Sequence, residues 1–337
     1  MIRDLLQKVL NGENLTQQEA YEAMESIMEG KATPAQIGAF LVAMRMKGES
    51  SEEIAGFALS MRGKANRVKT NGVEKTVDLV GTGGDGKHTF NISTVASFVV
   101  AGAGIPVAKH GNRSVSSRCG SADVLQELGV NIELDAGQLS ECLQETGIAF
   151  LFAPKLHPAM KHAVIPRREI GIRTFFNMLG PITNPADVKH QLIGAYSLEV
   201  ARLLADVLKR LNSKHILLVH SEDGLDEISL NAKTNIIELK NDQIQEYQVG
   251  ATDFGLQQSN NGLTGGDTKQ NAIIAMKILK GEQSSERDVV ILNAAAGIYV
   301  SGVTTDFKQA AQMAQKSLDS EAAFERLQAL KQFSVRI

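Results

Sequence analysis

The sequence predicts an α/β protein in two parts, a small all-helical N-terminal domain followed by a large α/β domain with a mostly parallel central sheet. Three observations carry this. Residues 1–65 show only helical periodicity. From about residue 73, short runs rich in β-branched residues alternate with helical stretches, which is the pattern of a parallel sheet. The length, 337 residues, suits two domains better than one.

Residues 1–65 read as four short helices. Ile2, Leu5, Leu6, Val9 and Leu10 fall on one helical face, as do Ile37, Phe40, Leu41 and Met44, and again Ile54, Phe57, Ala58 and Met61. "TQQE" from Thr16, "TPAQ" from Thr33 and "SSEE" from Ser50 are capping-box patterns, with Pro34 at a first helical position. Gly12, Gly30 and Gly48 supply the stops. Strands are then predicted at "TVDLV" (76–80), "IPVAK" (105–109), "IAFLF" (148–152), "HILLV" (215–219) and "TNIIEL" (234–239). Helices fall between them at about 91–103, 121–128, 138–146, 198–211 and 268–280. The segment 165–185 breaks this rhythm. It holds charges, a Gly-Pro and an Asn-Pro, and reads as helix and turn. No internal repeat or low-complexity linker is visible.

The composition narrows the function class. Hydrophobic residues make up 43% and charged residues 22%, ordinary values for a globular protein, and the net charge is −3. No global positive field recruits nucleic acid or an anionic membrane, so any basic site is local. Cys119 and Cys142 lack metal-ligand spacing and are too few for a disulfide framework, so they are read as reduced thiols. The first residues hold no apolar signal core, and no run approaches ~18 apolar residues. A cytoplasmic enzyme is the expectation.

Three segments carry candidate chemistry. The first, "VGTGGDGKHTFNIST" (80–94), follows a strand and precedes a helix, the context of a phosphate cradle. Gly81, Gly83 and Gly86 spell G-x-G-x-x-G. A dinucleotide site needs an acid about 20 residues later, yet Lys109, His110 and Arg113 stand there. Gly81 to Lys87 also resembles a nucleoside-triphosphatase loop, but His88 replaces the hydroxyl that binds magnesium. A ligand-free glycine turn is the bland alternative. The second segment, "KHGNRSVSS" (109–117), begins at the C-terminal end of the next predicted strand. In a parallel sheet both segments emerge on the ligand-binding edge. Lys109 and Arg113 would neutralise phosphate, and the serines would complete its hydrogen bonds. The third, "SEDGLDEIS" (221–229), holds Glu222, Asp223, Asp226 and Glu227. Alone it reads as a solvated acidic turn; beside a polyphosphate it reads as a magnesium site.

Together "GTGGDG", "TFNIST", "KHGNRSVSS", "GSADVLQELG", "HPAMK", "LGPITNP" and "DGLDE", in this order, resemble the anthranilate phosphoribosyltransferases. The resemblance implies transfer of phosphoribose from phosphoribosyl pyrophosphate (PRPP) to the amino group of anthranilate, a step of tryptophan biosynthesis. It implies a homodimer and a fold similar to pyrimidine nucleoside phosphorylases. Helices from about 165–188 would join residues 1–72 in space, with 73–164 and 189–337 forming the PRPP-binding domain. PRPP contacts would be Gly81, Gly84, Asp85, Thr89, Asn91, Ile92, Ser93 and Thr94, then Lys109, His110, Gly111, Asn112, Arg113, Ser114, Val115, Ser116 and Ser117, with Ser121. Magnesium (Mg2+) ligands would be Ser93, Asp226 and Glu227. Anthranilate would meet Gly81, Asn112 and Arg167, with His110 and His157 lining its approach. The rivals are a pyrimidine nucleoside phosphorylase, a paralogous phosphoribosyltransferase, or a ligand- or nucleic-acid-binding regulator on the same scaffold. The carboxylate cluster speaks against the first, because phosphorolysis needs no metal-bound pyrophosphate; the acidic net charge speaks against a nucleic-acid form. No cysteine or serine sits in a nucleophile arrangement, so the expected transfer uses no protein nucleophile.

Overall fold

A computed structural model describes residues 2–73, 75–114, 119–259 and 263–336. The expected contacts at Val115, Ser116 and Ser117 lie outside the described residues. Four helices open the chain: α1 (Ile2–Leu10), α2 (Gln17–Met28), α3 (Pro34–Lys47) and α4 (Ser51–Gly63). Thr16, Thr33 and Ser50 each close a capping box, accepting from the backbone N–H of Glu19, Gln36 and Glu53. Then follow β1 (Val77–Gly81), α5 (Ile92–Gly102), β2 (Val107–Gly111), α6 (Ser121–Glu127), α7 (Ala136–Thr146) and β3 (Ile148–Phe152). A short turn, α8 (Ala153–Leu156), leads to α9 (Lys161–Ile170) and α10 (Phe176–Ile182). The chain continues through β4 (His190–Gly194), α11 (Leu198–Arg210), β5 (His215–Ser221), β6 (Thr234–Lys240) and β7 (Gln243–Val249). Four helices close it: α12 (Thr268–Leu279), α13 (Ser285–Val300), α14 (Phe307–Asp319) and α15 (Ala322–Arg336).

The strands form one sheet in the order β3-β2-β1-β4-β5-β6-β7. The first five run parallel, whereas β6 and β7 are antiparallel additions. Side chains alternate between its faces. Leu217 and Val219 of β5 point into a core made with α5, α7 and α12 to α15, while Ile216 and Leu218 point into a core made with α1 to α4 and α9 to α11. The helical segment 161–182 therefore shares its core with the N-terminal helices. Phe175 stacks on Phe57, with ring centroids 4.3 Å apart, and meets Phe40 edge-on.

Two strands stand where the sequence predicts none. β4 carries His190 and Gln191 and so lacks a clean apolar run, though it is buried between β1 and β5. β7, "QIQEYQV", is an exposed edge strand, joined to β6 through Asn241 and Asp242 at φ 52° and 61°, the geometry of a tight hairpin.

Candidate active site

The strand order reverses between β1 and β4, where one crossover leads towards β2 and β3 and the other towards β5. Ligands of such sheets bind beyond the C-terminal strand ends at this point. The glycine segment occupies it. Gly83, Gly84, Gly86 and His88 take φ of 65°, 82°, 73° and 53°, so the loop uses its glycines for a left-handed path that side chains resist. The loop is tied at both ends. Thr82 N–H donates to Gly194 O at 2.8 Å, Gly265 N–H donates to His88 O at 2.9 Å, and Thr89 pairs with Thr264. Gly81 is glycine for another reason. A Cβ there would lie 3.0 Å from Asp226 Oδ2, and one on Gly194 would lie 1.7 Å from Asp226 O. Two glycines, side by side at the ends of β1 and β4, make room for Asp226.

The four carboxylates of the loop after β5 divide. Glu222 is exposed and accepts from Gln248, while Asp223 accepts from Ser229 Oγ at 2.6 Å and shapes the turn. Asp226 and Glu227 face inward. Burial, then the neighbouring Asp85, push the Asp226 carboxyl up to about 7. Burial, then Asp226, push Glu227 up to about 8. Ser93 donates its backbone N–H to Glu227. Asp85 Oδ2 is buried without a hydrogen-bond donor among the described residues. Lys109, which Asp78 shares, offsets the charge of Glu227. Such a set is short of positive charge, and hard oxygen donors are the chemistry a magnesium ion takes. No group of three His, Cys, Asp or Glu among the described residues is arranged to hold a metal by itself. The donor set therefore fits an ion that keeps waters and shares phosphate oxygens, as magnesium does.

Several of the expected phosphate contacts have partners within the protein. Lys109 is buried at 4% exposure, donating to Leu79 O and, at 3.2 Å, to Ser93 Oγ. It stands behind the carboxylates as their counter-charge, held there by the strand alternation that points it at α5. Ile92 and Thr94 are 1% and 2% exposed, so their side chains are buried. The Asn91 amide is engaged with Cys119 O and Asn271. Arg113 pairs with Asp123 at 3.0 Å, and the same Asp123 carboxylate accepts from Ser114 N–H and Gly120 N–H, pinning both ends of the second loop. Gly111 allows close packing, since a Cβ would meet Ser121 Oγ at 2.4 Å and Phe150 at 2.6 Å. Ser121 donates to Asn112 O, and Asn112 Oδ1 accepts from Arg113 N–H.

On the helical side of the sheet, His110 and His157 lie with ring centroids 5.3 Å apart. Burial, then His157, push His110 down to about 3, and burial pushes His157 down to about 4, so both are neutral imidazoles near pH 7. His110 Nδ1 meets Gly180 O at 3.0 Å, and the buried Nε2 has no partner among the described residues. Arg167 lies over the Phe176 ring, 4.7 Å from its centroid, and makes no ion pair among the described residues. Burial lowers its pKa. Arg168 is exposed.

Sequence reading missed several residues at this edge. Asp78, fully buried in β1, accepts from His110 N–H and from Asn184 Nδ2 at 2.8 Å, joining β1, β2 and the segment after α10. A carboxylate inside an otherwise apolar strand was the available signal. Arg173 and Tyr196 also reach the glycine loop, and no local pattern marks them.

The chain matches the glycosyl transferase family, helical bundle domain, over residues 3–65, and the glycosyl transferase family, a/b domain, over residues 73–324. It is 51% identical over 335 residues to the anthranilate phosphoribosyltransferase of Pelotomaculum thermopropionicum and 49% identical to that of Desulforamulus reducens, covering 99% of this chain and 97% of each relative. Among solved structures, the anthranilate phosphoribosyltransferase of Thermus thermophilus superposes with a TM-score of 0.93 at 39% identity, covering 98% of this chain and 99% of that one. That of Saccharomyces cerevisiae in complex with PRPP and Mg superposes with a TM-score of 0.91 at 25% identity, covering 100% and 98%.

Proposed function

This chain belongs to the anthranilate phosphoribosyltransferase family, and from that premise we infer that it transfers the phosphoribosyl group of PRPP to the amino group of anthranilate. The products are N-(5-phosphoribosyl)anthranilate and pyrophosphate. The ribose C1–O bond breaks, the C1–N bond forms with inversion, and the amine loses a proton. One observation carries the reading for this chain. Asp85, Asp226 and Glu227 crowd three carboxyl groups beside a glycine loop at the switch point, which suits a cation held against a polyanion.

Asp226 and Glu227, with Ser93, would hold magnesium, which supplies positive charge to the departing pyrophosphate. The relative from Saccharomyces cerevisiae, solved with PRPP and Mg, supports this assignment. Backbone N–H groups of Gly84, Asp85 and Gly86 would receive phosphate. Lys109 holds Glu227 and Ser93 in place. Arg167 offers the acceptor carboxylate a planar fork that has no competing ion pair among the described residues. His110 and His157, neutral and short of hydrogen-bond partners, line the acceptor path without repelling Arg167. The acceptor amine is neutral near pH 7, so no strong base precedes attack. Assembly as a homodimer and a cytoplasmic location belong to the same reading. No helix among the described residues is long and apolar enough to cross a membrane.

The test mixes protein, PRPP, magnesium and anthranilate and follows loss of anthranilate fluorescence. Turnover that requires all of them is expected. Turnover of a pyrimidine nucleoside with inorganic phosphate, and none with PRPP, would replace this reading with phosphorolysis.

A further inference from the structure

Arg173 lies in the link between α9 and α10, on the helical side, yet its guanidinium reaches the glycine loop. Nη2 donates to Gly84 O, and Cζ sits 4.6 Å from the centroid of the Tyr196 ring. Tyr196 follows β4, packs against the helical core and donates its backbone N–H to Thr82 Oγ1 at 3.1 Å. The loop is thus held from the helical side at Thr82 and at Gly84. We propose that Arg173 is a positioning residue for the phosphate loop: braced on Tyr196, it fixes the Gly84–Asp85 peptide in the phosphate-receiving orientation and links that loop to the segment bearing Arg167. The proposal rests on the PRPP reading above.

The physical reason begins with the loop's composition. Gly83, Gly84 and Gly86 all sit at positive φ, and glycines lose the most conformational freedom on ordering. Among the described residues the other holds between Thr82 and Lys87 are Thr82 N–H on Gly194 O, Gly83 N–H on the Asp226 carboxylate, Thr82 Oγ1 donating to Gly83 O at 3.4 Å, and Lys87 N–H on Asp85 Oδ1 at 3.1 Å, and none of them engages the Gly84 carbonyl. In a trans peptide the carbonyl and the following N–H point opposite ways. With Gly84 O drawn to Arg173, the Asp85 N–H must face away from it, and the Asp85 carboxylate that follows is set towards Asp226. Without this contact the loop samples other paths, and PRPP binding is weakened by the fraction of time the competent path is lost. Gly84 also matches the contact, since a Cβ there would lie 3.0 Å from Arg173 Nη2. One hydrogen bond and one exposed cation–π contact together correspond to about a tenfold change in equilibrium.

The experiment uses the full chain and compares Arg173→Ala, Arg173→Lys, Tyr196→Leu and the Arg173→Ala/Tyr196→Leu pair. PRPP affinity with magnesium is read by calorimetry, KM for both substrates by fluorescence, and amide exchange of residues 82–87 by mass spectrometry. Arg173→Ala is expected to weaken PRPP about tenfold, to change the anthranilate KM less than about twofold, and to speed loop exchange while melting stays near wild type. Arg173→Lys, which cannot stack and fork together, should recover little. Tyr196→Leu should reproduce part of the loss, and the pair should lose less than the sum. Wild-type PRPP affinity and loop exchange in Arg173→Ala would overturn the proposal. So would a loss of affinity with unchanged exchange and a harmless Tyr196→Leu, which would make Arg173 a direct phosphate ligand. If the wild type binds no PRPP, the functional reading fails, and loop exchange still decides the role of Arg173.

Discussion

Arg167 and Arg168 are neighbours in sequence with different surroundings. Arg167 is half-buried on Phe176 without a counter-ion among the described residues, and Arg168 is exposed. A lost hydrogen bond to a charged group costs about 1.5–3 kcal/mol, roughly ten- to hundredfold in affinity. Arg167→Ala should raise the KM for anthranilate by that factor and spare the KM for PRPP. Arg168→Ala should change either by less than about twofold, as exposed substitutions usually do. Damage from Arg168→Ala alone would show that the wrong arginine carries the acceptor carboxylate. At Gly84 the conflict is steric and conformational. Its φ is 82° and a Cβ would press on Arg173. Gly84→Val should weaken PRPP in calorimetry far more than it lowers Tm; equal affinities would refute this.

The loop after β5 makes a prediction about pH. Asp226 and Glu227 keep their protons up to about 7 and about 8, against ordinary values of 3.8 and 4.5. The folded chain therefore binds more protons than the unfolded chain across that interval, and metal-free stability falls as pH rises through it. The charged groups facing the pair are Asp85 and Lys109, with Asp78 on the far side of Lys109. Magnesium competes with the protons, so the rise in Tm on adding magnesium pyrophosphate should be larger at pH 8 than at pH 6. In Asp226→Asn/Glu227→Gln, calorimetry should show both the metal-free slope and the magnesium response flattened, with turnover abolished at ordinary magnesium. Full activity with an unchanged magnesium response would sink the metal assignment.

Across the whole molecule, the N-terminal helices do not close their own core. Phe40 and Phe57 complete their packing on Phe175, and α11 covers the same cluster. Phe175→Ala should cost about 3–5 kcal/mol, the usual figure for emptying a buried aromatic site. The loss should be read in both halves by amide exchange, because the cavity opens between segments over a hundred residues apart in the chain. Residues 1–72 expressed alone should lack cooperative melting. A sharp two-state transition of that fragment would show the bundle to be self-sufficient.

Local signals sufficed for much of this architecture. Thr16, Thr33 and Ser50 with their glutamate or glutamine partners settle where α2, α3 and α4 begin, because a capping box is closed within four residues. The β-branched runs of β1, β3 and β5 and the left-handed glycines of the loop are local in the same sense, as is the family resemblance that assembles such motifs in order. β4 and β7 were hidden because neighbours across the sheet, not an apolar run, stabilise them. The same limit applies at the site. That Asp226 and Glu227, and not Glu222 and Asp223, turn inward depends on the space left by Gly81 and Gly194. That Lys109 backs the carboxylates depends on which face of β2 it occupies. That Arg173 reaches Gly84, 89 residues away, depends on how the helical segment packs on the sheet. Sequence spacing determines what lies within a few residues; contacts between distant segments arise only when burial brings their elements together.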